Sequence, residues 1–209
     1  MPLCFLVVSL GNRAPYSLSL HSAGHLALCA AQKVLAPSQP PFALERYGKK
    51  SCKVSAAFPY TFIQSPTMMN NCGTWLHGAF RETLQRHQLQ PSELALVIVH
   101  DELESAFGGV RVRDWIVSHR GHNGVKNVKN CMGILRYPKD HWCRIAIGID
   151  RPEERTPEVV SKYVLSNMTP RQLELIDTDV GPTIVRYLHE LRAQWDDGSD
   201  GSDKAQAKP

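Results

Sequence analysis

The chain has 209 residues, 43% of them hydrophobic, which is enough to bury one core of ordinary size. Its net charge of +4 permits attraction to nucleic acid without demanding it, and no apolar run approaches the ~20 residues needed to cross a bilayer, so no membrane-spanning helix is expected. Six cysteines (Cys4, Cys29, Cys52, Cys72, Cys131 and Cys143) include no C-x-x-C pair and sit mostly in apolar runs, which predicts reduced thiols, a reducing compartment and no structural zinc.

Residues 3–10 are a short run of branched apolar side chains closed by Gly11-Asn12, the pattern of a buried strand entering a loop. No basic leader precedes them, so a soluble protein of the cytoplasm or the mitochondrion is expected. Beyond Pro15 and Tyr16, Ser22 is placed to cap a helix in which Leu26, Ala27, Ala30 and Val34 recur at helical spacing until Pro37. Two shorter strands are predicted over 52–58 and 60–64, then a helix over 70–87 with Trp75, Leu76, Ala79, Phe80 and Leu84 along one side. Residues 94–100 carry the strongest strand pattern and deliver Asp101 and Glu102 at its carboxyl end, where open α/β sheets place their ligand sites.

Further strands over 110–113 and 142–149, with helices over 123–135, 158–165 and 171 to about 195, complete the prediction. They give a single α/β domain, residues 1–195, with a twisted, mixed and largely parallel sheet flanked by helices on both faces. Residues 196–209 hold no large apolar side chain and are predicted to form a disordered polar tail.

The candidate chemistry lies at one edge of this sheet. His21 follows the first strand by one loop, Asp101 ends the central strand, and His122-Asn123 opens a helix. An imidazole of ordinary pKa, near ~6.5, takes a proton from water at neutral pH, and a carboxylate behind it fixes the tautomer and stabilises the imidazolium. No serine or cysteine sits in a nucleophile elbow, which leaves water as the nucleophile. Asn12, Asn70 and Asn123 stand at loop junctions, where an amide offers a donor and an acceptor to a peptide backbone or a developing oxyanion.

Taken singly, each of these residues also suits a purely structural role, since histidines often cap helices and asparagines favour turns. His100, Asp101, Glu102, His119 and His122 are metal-binding types but match no zinc spacing, and the glycines complete neither a P-loop nor a dinucleotide fingerprint. No metal and no cofactor is therefore expected. Between Arg111 and Arg155, ten Lys or Arg face five acids, which suits either a solvated surface or an anion-binding face.

In order, Leu10-Gly11-Asn12, Tyr16, Leu20-His21-Ser22-Ala23-Gly24, Thr67-Met68-Met69-Asn70, Val99-His100-Asp101-Glu102-Leu103, Arg120-Gly121-His122-Asn123-Gly124 and Arg144-Ile145-Ala146-Ile147-Gly148-Ile149 resemble the bacterial-type peptidyl-tRNA hydrolase family. The resemblance covers about residues 3–166, and the serine after His21 is a variation associated with eukaryotic, fungal-like members. It implies metal-free hydrolysis of the ester that joins a peptide to the 3′ end of tRNA. His21 resembles the general base, Asp101 the carboxylate that orients it, and Asn12 an amide beside the reacting carbonyl. Asn70, Asn123, Met69 and Tyr16 resemble substrate-binding residues, and His122 one near the tRNA 3′ end. Arg113, Lys126 and Lys129 would face tRNA phosphates, through contacts that weaken with salt. No self-association patch is evident, so a monomer is expected.

Several positions depart from the family pattern. Arg13-Ala14-Pro15 stands where Pro-Gly is common, in a loop one residue shorter. Ser22 replaces a frequent asparagine, Asp114-Trp115-Ile116-Val117 replaces a basic and glycine-rich stretch, and Ala146 stands where arginine is frequent. The altered 114–117 stretch motivates an alternative, a catalytically weakened member that keeps the basic face and acts as an RNA-binding protein. A peptidase or nucleoside-processing enzyme on a similar scaffold is a further alternative, because fold does not fix function.

Overall fold

The computed structural model describes residues 3–199. Seven strands, β1 (Cys4–Ser9), β2 (Ala43–Tyr47), β3 (Lys50–Ala57), β4 (Tyr60–Gln64), β5 (Leu94–Glu102), β6 (Val110–Asp114) and β7 (Trp142–Gly148), form one sheet in the order β2-β3-β4-β1-β5-β7-β6. The centre is parallel, with β1 between β4 and β5 and with β7 beyond β5. The edges β2-β3-β4 and β6-β7 are antiparallel, so the predicted mixed sheet is parallel where it is most buried.

Alternation along the central strands splits the core into two layers. In β5 every residue is buried, and Ala95, Val97 and Val99 face one layer while Leu94, Leu96 and Ile98 face the other. Helices α1 (Ala23–Leu35), α4 (Pro157–Val164), α5 (Pro170–Leu175) and α6 (Gly181–Ser199) belong to the first layer. Helices α2 (Cys72–His87) and α3 (Asn123–Gly133) cover the second. Fully burying one such Leu or Ile contributes about 1.5–3 kcal/mol, so truncating Leu96 to alanine would cost about 2–5 kcal/mol with its cavity.

Three differences from the sequence reading have physical causes. Strand β2 was not predicted, because it is a short edge strand whose residues 43–46 are exposed and show no apolar alternation. The long helix predicted over 171–195 is interrupted by a π-helical turn at Ile176–Val180, just before Gly181-Pro182. Pro182 has no N–H to donate and its ring crowds the preceding turn, which accounts for the break. Helix α6 also continues past Trp195 to Ser199, and Asp196 accepts the N–H of Leu3 at 3.2 Å. Residues 200–209 of the predicted tail lie outside the described residues. Among the described residues no helix is long and apolar enough to cross a membrane, and all six cysteines are unpaired.

Candidate active site

From β1 the chain crosses one face through α1 and later reaches β5 over the other face through α2. The crevice at the carboxyl ends of β1 and β5 is therefore the switch point of the sheet. A cleft of ≈ 550 Å³ opens there and brings together Asn12, Tyr16, His21, Met69, Asn70, Asp101, Arg113, His122 and Asn123. Lys126 and Lys129, on α3, do not line it.

His21 sits in a single 3₁₀ turn, Leu20–Ser22, that runs directly into α1. Gly24 lets this junction press against the strand ends, because a Cβ there would lie 2.4 Å from the Leu10 carbonyl oxygen and 2.6 Å from that of Val99. Any side chain would push the helix outward and carry His21 with it. Ser22 does not cap α1 as expected. Its buried hydroxyl instead accepts the Asn12 N–H at 3.0 Å and donates to the Tyr16 carbonyl at 2.7 Å, which fixes the loop that carries Asn12.

The Nδ1–H of His21 faces both oxygens of Asp101, at 2.9 and 3.0 Å. His122 meets the same carboxylate through Nε2 at 3.1 Å. The tautomer of His122 follows from its position as N-cap of α3, where Nδ1 accepts the backbone N–H of Val125 at 3.1 Å. The ring proton is thus on Nε2 and points at Asp101. Burial would raise the Asp101 pKa, but His21 and His122 together hold its carboxyl well below the ordinary range. For His21 burial acts downward, and the charge and hydrogen bond of Asp101 outweigh it, leaving the imidazole pKa raised. With Nδ1 committed to Asp101, the Nε2 lone pair of His21 is left for the cleft, as a general base requires.

The main chain of Asp101 is held as well. The buried His100 donates from Nδ1 to the Asp101 carbonyl at 2.7 Å, and its Nε2 lies 3.3 Å from Arg144 Nη1. Burial first, then His122 and Arg144, lowers the His100 pKa to about 3, so this ring is neutral and accepts from the arginine. Arg144 is only 2% exposed and also donates to the carbonyls of Val117 (2.9 Å) and Ser118 (3.3 Å). One buried cation thus ties the loop after β6 to the end of β5. The positioning roles of Arg144, His100 and Ser22 were missed in the sequence. The available signal was an arginine inside an otherwise apolar central strand, which has to be buried and partnered.

The basic residues behave differently from one another. Arg113 forks onto Glu102 at 2.9 and 3.0 Å, and Arg120 joins the same carboxylate at 3.2 Å. Lys126 is exposed, whereas Lys129 donates to the carbonyls of Ile116 (3.2 Å) and Val117 (2.7 Å). In the divergent 114–117 stretch, Trp115 is buried edge-on against Trp142 with ring centroids 5.1 Å apart. Ala146 is buried in β7, paired with His100 on one side and Arg111 on the other. The side-chain amides of Asn12, Asn70 and Asn123 make no hydrogen bond within the described residues and are free for a ligand.

His21, Asp101 and His122 also form a group of potential metal donors, a different set from the one considered in the sequence. The nitrogens facing Asp101 carry protons, in the case of His122 because its other nitrogen caps α3. The arrangement is therefore one of hydrogen bonds rather than of metal ligands.

A carboxylate shared by two imidazoles, one with a free lone pair beside unpartnered amides, defines a one-domain α/β protein equipped to activate water against a carbonyl. The chain belongs to the peptidyl-tRNA hydrolase family, whose model matches residues 6–200. It is 35% identical over 133 residues to a probable peptidyl-tRNA hydrolase of Schizosaccharomyces pombe, covering 63% of this chain and 61% of that one. It is 39% identical over 95 residues to the peptidyl-tRNA hydrolase of Saccharomyces cerevisiae, covering 44% and 48%. The match thus spans 61% and 48% of the lengths of these two fungal relatives. To peptidyl-tRNA hydrolase 1 of Corynebacterium glutamicum it is 32% identical over 190 residues, 88% of this chain and 96% of that one. The crystal structure of peptidyl-tRNA hydrolase from Acinetobacter baumannii shares the fold, with a TM-score of 0.63 at 20% identity over 92% and 94% of the two chains.

Proposed function

We propose that this protein hydrolyses the ester between a peptide and the 3′ end of tRNA, with water activated by His21. The observation that carries the reading is the hydrogen bond of His21 Nδ1 to the buried Asp101, which leaves the other imidazole nitrogen free over the cleft. His21 Nε2 takes a proton from water as its oxygen attacks the ester carbonyl, and Asp101 stabilises the imidazolium. The amides of Asn12, Asn70 and Asn123 hold the peptide backbone and donate to the oxyanion. When the tetrahedral intermediate collapses, the imidazolium returns the proton to the departing 3′ oxygen. Met69 and Tyr16 line the peptide side, His122 lies near the tRNA end, and Arg113, Lys126 and Lys129 are the first choices for phosphate contacts.

The enzyme is read as a monomer of the cytoplasm or mitochondrion, a reading supported by its free thiols. The weakened RNA-binding alternative draws no support from a cleft in which base, carboxylate and amides are gathered. The test is release of N-acetylated amino acid from N-acetyl-aminoacyl-tRNA. Cleavage that persists in EDTA and falls about 10²–10⁴-fold in folded His21→Ala is expected. No cleavage by folded wild-type protein overturns the reading.

A further inference from the structure

A second groove, outside the catalytic cleft, joins it at Met68, which lines both. Its walls are the turn between β2 and β3 and the outer side of α2, and they carry four exposed cations, Arg13, Lys49, Lys50 and Arg81. None of the four has an acidic partner among the described residues.

The acids nearby, Glu82 and Glu45, share one arginine. Glu82, which also lines the groove, binds Arg86 at 2.6 Å and the Gly48 N–H at 2.7 Å, and Glu45 lies 4.0 Å from the same arginine. Arg86 is further fixed by the Arg46 carbonyl at 2.7 Å and by the Tyr47 ring, 4.2 Å below its guanidinium carbon. Against the four cations of the groove stands only the single negative charge that Glu45 and Glu82 keep after sharing Arg86, so the groove is positive on balance.

It is also pre-organised. Gly48 and Lys49 both adopt left-handed backbone angles, φ 56° and 66°, as a tight two-residue hairpin turn requires. Trp75 of α2 donates to the Tyr47 carbonyl at 2.9 Å, so this turn and the helix bearing Arg81 form one unit. The backbone that carries Lys49, Lys50 and Arg81 therefore needs no ordering to meet a polyanion, and only the side chains lose freedom.

We infer that this groove is a second phosphate-binding surface, which holds the sugar-phosphate backbone of the RNA along α2 and the turn between β2 and β3. The inference rests on the tRNA substrate proposed above. Within such a substrate the peptide varies in charge from one molecule to the next, whereas the phosphates are invariant, so a groove with a standing excess of cations complements the RNA. Arg13, one of the departures from the family pattern, would contribute to this surface next to Asn12.

The test is direct binding of uncharged tRNA over a salt series, which does not depend on catalysis. Combined Lys49→Ala, Lys50→Ala and Arg81→Ala is expected to weaken binding about tenfold and to lower the slope of log affinity against log salt by about one for each phosphate no longer neutralised. Neutralising Arg171, Arg186 and Arg192 in the opposite helical layer controls for net charge and should change both much less. An unchanged slope in the groove variant, an equal loss in the control, or a poly-glutamate peptide that binds the groove while tRNA does not, each overturns the inference. Groove-dependent tRNA binding by a wild-type protein that cleaves no ester would keep the groove and remove the hydrolase reading.

Discussion

Two loops flank Asp101, and they are built in opposite ways. The loop between β1 and α1 takes its side-chain bonds from within, Ser22 to Asn12 and Tyr16, with Gly24 seating the helix on the strand ends, while its backbone is bridged at Leu18–Leu20 to residues 166–168. The loop between β6 and α3 is held from outside by long cations, Arg144 from β7 and Lys129 from α3, which reach the carbonyls of residues 116–118. Each loop also rests on a buried neutral histidine. His25 bonds Ser9 Oγ at 2.8 Å beneath the first, and His100 supports the second. The side chains that set the first loop are its own, whereas the charged side chains that hold the second come from other elements, so side-chain substitutions should act within the first loop and from a distance on the second.

The largest expected effect is on the carboxylate that both loops serve. Asp101→Asn keeps the volume but cannot hold the His21 tautomer, and kcat should fall about 10³–10⁴-fold with the fold retained. Within the first loop, Gly24→Ala puts a methyl group 2.4 Å from a backbone oxygen. Displacing His21 by about 1 Å is expected to lower kcat/KM about 10²-fold, and steady-state kinetics on N-acetyl-aminoacyl-tRNA would show it.

The second loop should yield to a residue far away in sequence. Arg144→Met leaves the Ser118 carbonyl and the His100 ring without their donor, while the Val117 carbonyl keeps Lys129, so a stability loss of about 1–3 kcal/mol and a fall in activity of about tenfold are expected. Lys129→Met removes a more exposed contact to the same loop, and should change the activity less than about twofold if Arg144 carries most of the restraint. Equal effects for the two would show that the cations share the loop.

Acid should loosen both loops together. Burial, with cationic neighbours adding to it, holds His25 and His100 at a pKa of about 3, against ~6.5 in the unfolded chain. Between those values the unfolded state binds protons that the folded state does not, so stability falls as pH falls. From pH 6 to 5 the two rings should together cost about 2 kcal/mol, measured by denaturant titration. His100→Gln should halve that dependence.

The same contrast explains what was legible in the sequence. His21, Gly24, Asp101 and Asn123 stand in short motifs because their partners are local or at strand ends, and the strand bearing Asp101 announces itself by an unbroken apolar run. Edge strand β2 was not legible, since it shows no apolar alternation, whereas the break before Gly181-Pro182 is signalled by the proline although the apolar spacing runs through it. The support from Arg144 was hidden because its targets are backbone carbonyls 26 and 27 residues away, and a carbonyl has no side-chain signature.

The most direct test of the central claim is the pH dependence of kcat/KM for ester release. The hydrogen bond and charge of Asp101 raise the His21 pKa, and the base must be unprotonated to act, so activity should rise with pH along a limb of unit slope. Its midpoint should lie above the ~6.5 of an ordinary imidazole and be absent in His21→Ala. A flat profile from pH 5 to 8, or an unchanged limb in His21→Ala, would contradict the account.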